Sequence, residues 1–257
     1  MVRAASLDPM PERVIHRTIE ARDAGRVSDA TNLAHASGAD LVSGQIGPDE
    51  YRIILFADRE ELWDANSRRH GMPLSFRNID LRTGAGNLSK KQPLAKAIGH
   101  AGTTVLDATA GLGHDAALLA CMGWTILAIE RDPFIATLLA ISRDDARRCD
   151  DLWSRLETNL TTMCGDAIEL VQTHKPDVIY LDPMFSARRK SSALPKKPAQ
   201  VLQALTVAGG DTELLAAARG GAGRVVVKRP HDGPPIEPDP TLVFSGRLVR
   251  YDVYLQQ

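Results

Sequence analysis

From residue 103 to the C-terminus, short apolar runs alternate with longer stretches of helical period. The runs at 103–107, 125–130, 159–163, 177–181 and 224–228 predict strands, and those at 115–121, 133–148, 166–173 and 211–218 predict helices. Two last apolar runs, 241–244 and 249–255, are joined through Ser245 and Gly246. They stand too close for a crossover helix and must form an antiparallel hairpin. Strand–helix alternation implies right-handed crossovers and a parallel sheet covered on both faces. The expected fold is α/β: a Rossmann-like, mostly parallel seven-stranded sheet closed by an antiparallel C-terminal hairpin. Earlier residues follow another pattern. Val14, Ile15 and Ile19 give 11–22 a helical period, Tyr51 to Phe56 is a β-type run, and His70-Gly71-Met72-Pro73 breaks the chain before a further strand expected over 74–81. A small α+β appendage is expected over 1–78, with the main domain over 79–257.

Composition narrows the class. At 257 residues, with 44% hydrophobic and 25% charged residues, the chain can bury a large core and is not disordered. No apolar run approaches the ~18 residues of a membrane helix, and the opening MVRAASLDPM has no apolar segment of a secretory signal. Three cysteines without a CxxC pair argue against a disulfide framework or a structural zinc site, and the histidines lack metal-ligand spacing. The expectation is a cytoplasmic protein with neither membrane nor metal as a partner. A net charge of −1 argues against indiscriminate nucleic-acid binding, yet the cations are unevenly placed. No acid occurs from Pro183 to Gly210, where Arg188, Arg189, Lys190, Lys196 and Lys197 cluster. Between Arg68 and Lys96 the single acid is Asp80. Two such stretches favour a polyanionic partner.

Ligands of parallel sheets bind at the carboxyl ends of the strands, so the strand-ending residues carry the chemistry. The first strand ends in LDATAGLGHDA, where Gly111 and Gly113 permit a tight turn and close backbone approach before a helix N-terminus. Gly111-x-Gly113-x-x-Ala116 also satisfies a dinucleotide fingerprint, which keeps a nicotinamide-dependent oxidoreductase among the readings. Asp107 argues against it: a carboxylate so near repels a pyrophosphate and attracts an ammonium or a sulfonium. Glu130, 19 residues after Gly111, can accept from both ribose hydroxyls. Asp166 can bind the exocyclic amine of an adenine or cap the next helix. Together these strand ends describe S-adenosylmethionine. The fourth strand ends in VIYLDPMF. Asp-Pro-x-aromatic resembles the Asp/Asn-Pro-Pro-aromatic motif of enzymes that methylate exocyclic amines of bases. An aryl amine is a poor nucleophile, and acceptors on its NH₂ make it more amine-like. Asp182 is the expected acceptor, Pro183 stiffens the turn and removes a competing N–H, and Phe185 offers a stacking face worth ~1–3 kcal/mol.

The strings LDATAGLGHDA, AIERDP, VIYLDPMF and RVVVKRP, in that order and spacing, resemble the bacterial small-subunit ribosomal RNA guanine-N2 methyltransferases called methyltransferase J. The resemblance covers about residues 94–255. It implies a class I methyltransferase fold, S-adenosylmethionine as donor, and N2-methylation of a guanosine in 16S rRNA, free or in a small-subunit assembly intermediate. It extends the cofactor contacts to His114 and Asp115, to Glu130 and Arg131, to Cys164 and Gly165, and to Asp182. Departures are Ser186 where the family has Pro, His114 where Arg is common, Cys164-Gly165 in place of paired serines, and an altered basic segment at 82–91. Lys228 and Arg229 end the fifth strand, where they, with the 188–197 cations, are expected to meet RNA phosphates. Competing readings are an adenine-N6 methyltransferase and an RNA-binding assembly factor with a vestigial site.

Overall fold

The computed structural model of the protein describes residues 14–83, 87–100, 103–183, 197–206 and 209–256. Two sheets organise them. The first contains β1 (His16–Ala21), β2 (Asp40–Leu41), β3 (Glu50–Leu55), β4 (Glu60–Asp64) and β5 (Met72–Pro73), in the order β2-β1-β3-β4-β5. Helix α1 (Val27–Ser37) connects β1 to β2, and Gly38 ends it at a left-handed φ of 66°. β1 runs parallel to β2 and β3, and β4 antiparallel to both neighbours.

Two N-terminal expectations are corrected. Residues 16–21 are a strand, not part of a helix, and 74–81 contain no strand. One face of the β1–β3 pair is ionic: Thr18, Glu20, Glu50 and Arg52 are all buried there. The Arg52 guanidinium donates to Glu50 Oε1 (2.6 Å), Glu20 Oε2 (2.8 Å) and the carbonyls of Gly44 and Gln45. A strand with a buried polar face shows no apolar alternation, which is why β1 read as helical. Leu74 and Phe76, taken for strand residues, are buried as separate anchors in an irregular segment.

The second sheet has the order β11-β12-β10-β9-β6-β7-β8. Its strands are β6 (Thr104–Asp107), β7 (Thr125–Glu130), β8 (Leu160–Cys164), β9 (Val178–Leu181), β10 (Arg224–Pro230), β11 (Leu242–Ser245) and β12 (Val249–Leu255). β12 alone runs antiparallel to its neighbours, as the hairpin required. Helices α2 (Pro93–Ile98), α3 (His114–Cys121), α4 (Pro133–Asp145), α5 (Asp150–Leu156), α6 (Ala167–His174), α7 (Lys197–Leu205) and α8 (Asp211–Gly221) complete the fold. Period-two alternation sends Val105, Tyr180 and Val226 towards α2, α3 and α5, and Leu106, Ile179 and Val227 towards α6 and α8. Ile19, Ile53 and Leu62 of the first sheet share a third cluster with Phe134 and Leu138 of α4 and Val201 and Leu205 of α7. Salt bridges join the same parts: Arg17 to Asp132, Arg148 to Glu60, Arg77 to Asp145 and Lys197 to Asp64. The first sheet thus holds α4 and α7 against the second. From β6 the chain builds outward to β7 and β8, then returns to β9 on the other side, so the crevice of this sheet opens between β6 and β9.

Candidate active site

Beyond β6 the chain stays pinned to both neighbouring strands, with Ala108 N donating to Tyr180 O and Ala110 N to Ile129 O, each at 3.0 Å. It then turns through Gly111 and Gly113, whose φ values of 53° and 77° lie in the region only glycine enters freely. A Cβ at Gly113 would lie 2.1 Å from Leu139 Cδ1, and one at Gly111 would lie 3.1 Å from Leu202 Cδ1. Gly113 opens α3, which presents His114 and Asp115 in its first turn.

Two carboxylates meet one ammonium at this edge, and a third lies buried nearby. Lys228 Nζ donates to Oδ2 of Asp115 and Oδ2 of Asp182, both at 2.8 Å. Tyr180, buried in β9, donates its hydroxyl to the same Asp115 oxygen at 2.7 Å. The Asp182 amide donates to Thr109 Oγ1 at 2.6 Å, which fixes the turn leading into buried Pro183. Asp107 is 2% exposed, accepts from Thr109 N at 3.1 Å and pairs with no cation among the described residues. Burial first, then the charges of Asp115 and Asp182, lift the Asp107 carboxyl well above the usual range, with Lys228 pulling the other way. Burial also raises Asp182, with Lys228 opposing and Asp115 adding to the rise. For Asp115 burial is outweighed by Lys228 and by the hydrogen bonds it accepts, and its carboxyl is held low.

Glu130 ends β7 beside the glycine turn, accepting from Gly111 N at 3.0 Å and Asp132 N at 2.8 Å. Burial raises its carboxyl despite these bonds. Asp132 caps α4 through Phe134 N and Ile135 N. At the end of β8, Cys164 is exposed, Gly165 N donates to Glu130 O, and Asp166 accepts from Ile168 N as the cap of α6. The strand ends named from sequence therefore converge: Asp107, Gly111, Gly113, His114, Asp115, Glu130, Arg131, Cys164, Gly165, Asp166, Asp182 and Pro183 share one edge of the sheet.

Phe185, Arg188, Arg189, Lys190 and Lys196 lie outside the described residues. The remaining cations expected at RNA have protein partners: Lys197 pairs with Asp64, Lys228 with Asp115 and Asp182, and Arg229, 8% exposed, donates to Pro234 O. In the other basic stretch Arg77 pairs with Asp145 and Arg82 with Asp80. Thr109, Tyr180 and the inward role of Lys228 were missed from sequence. Tyr180 carried a signal, because a tyrosine in a buried strand needs a partner for its hydroxyl.

Comparison with known proteins decides the family. The SAM_MT family model, "Putative SAM-dependent methyltransferase", matches residues 50–256. Ribosomal RNA small subunit methyltransferase J of Halorhodospira halophila is 39% identical over 216 residues, covering 79% of this chain and 80% of that protein. Its namesake from Coxiella burnetii is 36% identical over 241 residues, covering 90% and 93%. This chain belongs to the methyltransferase J family. The crystal structure of the SAM-dependent methyltransferase NGO1261 from Neisseria gonorrhoeae covers 93% of the chain and 96% of its own, with a TM-score of 0.65 at 29% identity. The class I methyltransferase fold expected from the strand pattern is the fold observed, and the methyl donor of the methyltransferase J family is S-adenosylmethionine. The residues present fit that donor. A buried Asp107 without a cation of its own, among three carboxylates and one lysine, suits a ligand bringing positive charge and disfavours one bringing a pyrophosphate.

Proposed function

We propose that the protein methylates the exocyclic N2 amine of a guanosine in 16S rRNA, acting in the cytoplasm on the RNA or on a small-subunit assembly intermediate. The observation that carries this reading is the carboxylate cluster at the switch point, in which Asp182, at the head of the Asp-Pro turn, borders Asp115 and Lys228. The relatives' printed names supply the substrate class, and the resemblance of the motifs supplies the guanine amine.

Asp107 and Asp115 would hold the methionine ammonium, Glu130 the ribose hydroxyls, and the Cys164–Asp166 turn the adenine edge. Bound there, S-adenosylmethionine supplies an electrophilic methyl carbon and leaves as a neutral thioether. Asp182 accepts an N–H of the target amine and takes the proton that nitrogen sheds as its new N–C bond forms. Pro183 offers no N–H to compete for that carboxylate, and positioning supplies most of the acceleration. Phe185 is assigned as the stacking platform, and Arg188, Arg189, Lys190 and Lys196 as phosphate contacts, from sequence alone.

Mass spectrometry of 16S rRNA nucleosides from cells with and without the gene tests donor, base and position together. The reading expects N2-methylguanosine at one position to disappear with the gene. Loss of N6-methyladenosine instead, or no change, would overturn it.

A further inference from the structure

We infer that Lys228 is a positioning residue of the transfer reaction: its ammonium, shared between Asp115 and Asp182, fixes the direction and the charge of the carboxylate that receives the target amine. The inference rests on the assignment of Asp182 made above and extends it to a residue outside the Asp-Pro motif.

Register brings the groups together. β9 and β10 run parallel with Leu181 opposite Val227, so the next residues, Asp182 just past the end of β9 and Lys228 still within β10, come side by side. Both continue the face of Tyr180 and Val226, the face that α3 covers, and Asp115 reaches the same point from the first turn of α3. Each carboxylate meets Nζ through Oδ2, so among the described residues the second oxygen of Asp182 is left to a substrate N–H. Thr109 Oγ1 anchors the Asp182 amide from the turn that follows β6. The carboxylate is thus held at its side chain and at its backbone.

A phosphate-binding role for Lys228 fits this geometry poorly. Its side chain is 22% exposed, and two of its three N–H donors are already committed to carboxylates. The charged and titratable groups around it are Asp107 on β6, His114 and Asp115 on α3, Tyr180 and Asp182 on and after β9, and Tyr251 on β12. Carboxylates outnumber cations in that set. Removing the ammonium leaves the like charges of Asp115 and Asp182 side by side without compensation, which raises the Asp182 carboxyl further and lets it take a proton at a higher pH. A protonated Asp182 can neither accept the amine's N–H at full strength nor take its proton.

The test uses the full chain with Lys228→Met and Lys228→Arg. Single-turnover methyl transfer to 16S rRNA is followed against pH with donor and RNA saturating. In the same proteins, without donor or RNA, carbon-13 NMR follows the aspartate carboxyls. Lys228→Met is expected to move the acid limb of the rate profile to higher pH by about one unit or more, a tenfold loss at a fixed acidic pH. RNA affinity should stay within about threefold, and Lys228→Arg should restore the limb at a lower rate, because the charge returns but the geometry does not. Lys228→Gln replaces the Met variant if the latter does not fold. An unmoved limb, or a loss confined to RNA affinity, would overturn the inference. The NMR arm separates it from the proposed function. If the Asp182 carboxyl titrates higher in Lys228→Met while the methylated product is another base, the hold of Lys228 on Asp182 stands and only the target assignment falls.

Discussion

Arg52 in the first sheet and Lys228 in the second each lie between two carboxylates, Glu20 and Glu50 in one case, Asp115 and Asp182 in the other. Around Arg52 the cluster is closed. The guanidinium is 2% exposed, both glutamates are 10% exposed, and its fork also meets two backbone carbonyls and the Thr18 hydroxyl. Around Lys228 the side-chain exposures rise to 22%, 27% and 36%. Burial pushes Glu20 and Glu50 up, but Arg22 and Arg52 for the one, and Thr18, Gly47 N and Arg52 for the other, outweigh it and hold both low. In the open cluster burial wins at Asp182. A saturated ion cluster inside a sheet ties strands together. The same charges at strand ends, with one carboxyl held above its ordinary range in a crevice, are arranged for chemistry.

The largest effect expected from breaking this comparison is on stability. Arg52→Met leaves buried Glu50 without its cation and Glu20 with Arg22 alone, and should cost about 3–5 kcal/mol in urea unfolding, with the transfer rate per folded molecule unchanged. Loss of transfer with unchanged stability would reverse the two roles. Gly113→Ala comes next. Its Cβ would overlap Leu139 at a left-handed φ, so overpacking should cost about 1–3 kcal/mol, and donor affinity measured by calorimetry should fall with it.

Acidity sharpens the contrast further. Glu20 and Glu50 have folded pKa values below the ordinary one, so their contribution is present above about pH 4.3 and is lost as pH falls through the lower folded values. Asp182, held high, acts in the opposite sense: its contribution is complete below about pH 3.9 and is lost as pH rises through the raised value. Urea midpoints across this range should therefore show an acid-side loss in the parent protein that Arg52→Met reduces and Asp182→Asn does not. The smallest effect belongs to Asp132→Ala. It removes the α4 cap and the Arg17 pair and should cost about 1 kcal/mol, seen as a small drop in Tm.

The same contrast explains what could be read from the sequence. The second sheet was legible because both of its faces are apolar, so residues 103–255 show short hydrophobic strands punctuated by Gly111, Gly113 and Pro183. In the first sheet only β3 was legible, as the β-type run 51–56; elsewhere buried polar residues such as Thr18, Glu20, Glu60 and Glu61 break the apolar alternation. In the site, the acids at the strand ends were visible as local strings. The role of Lys228 was not, since its partners lie 113 and 46 residues away in the chain. A strand-end lysine read alone suggests a phosphate contact, and only the register of β9 and β10 turns it inward. Nor could the hold of the first sheet on α7, through Asp64 at one end and Arg17 at the other, be read from local pattern.

The account depends most on Asp182 acting on the target amine. Single-turnover transfer to 16S rRNA by purified Asp182→Asn, which keeps the side-chain shape and loses its charge, tests this directly. The rate should fall about 10²–10⁴-fold, with the unfolding midpoint preserved and donor affinity within about an order of magnitude. A variant that methylates the same guanosine at the parent rate would contradict it.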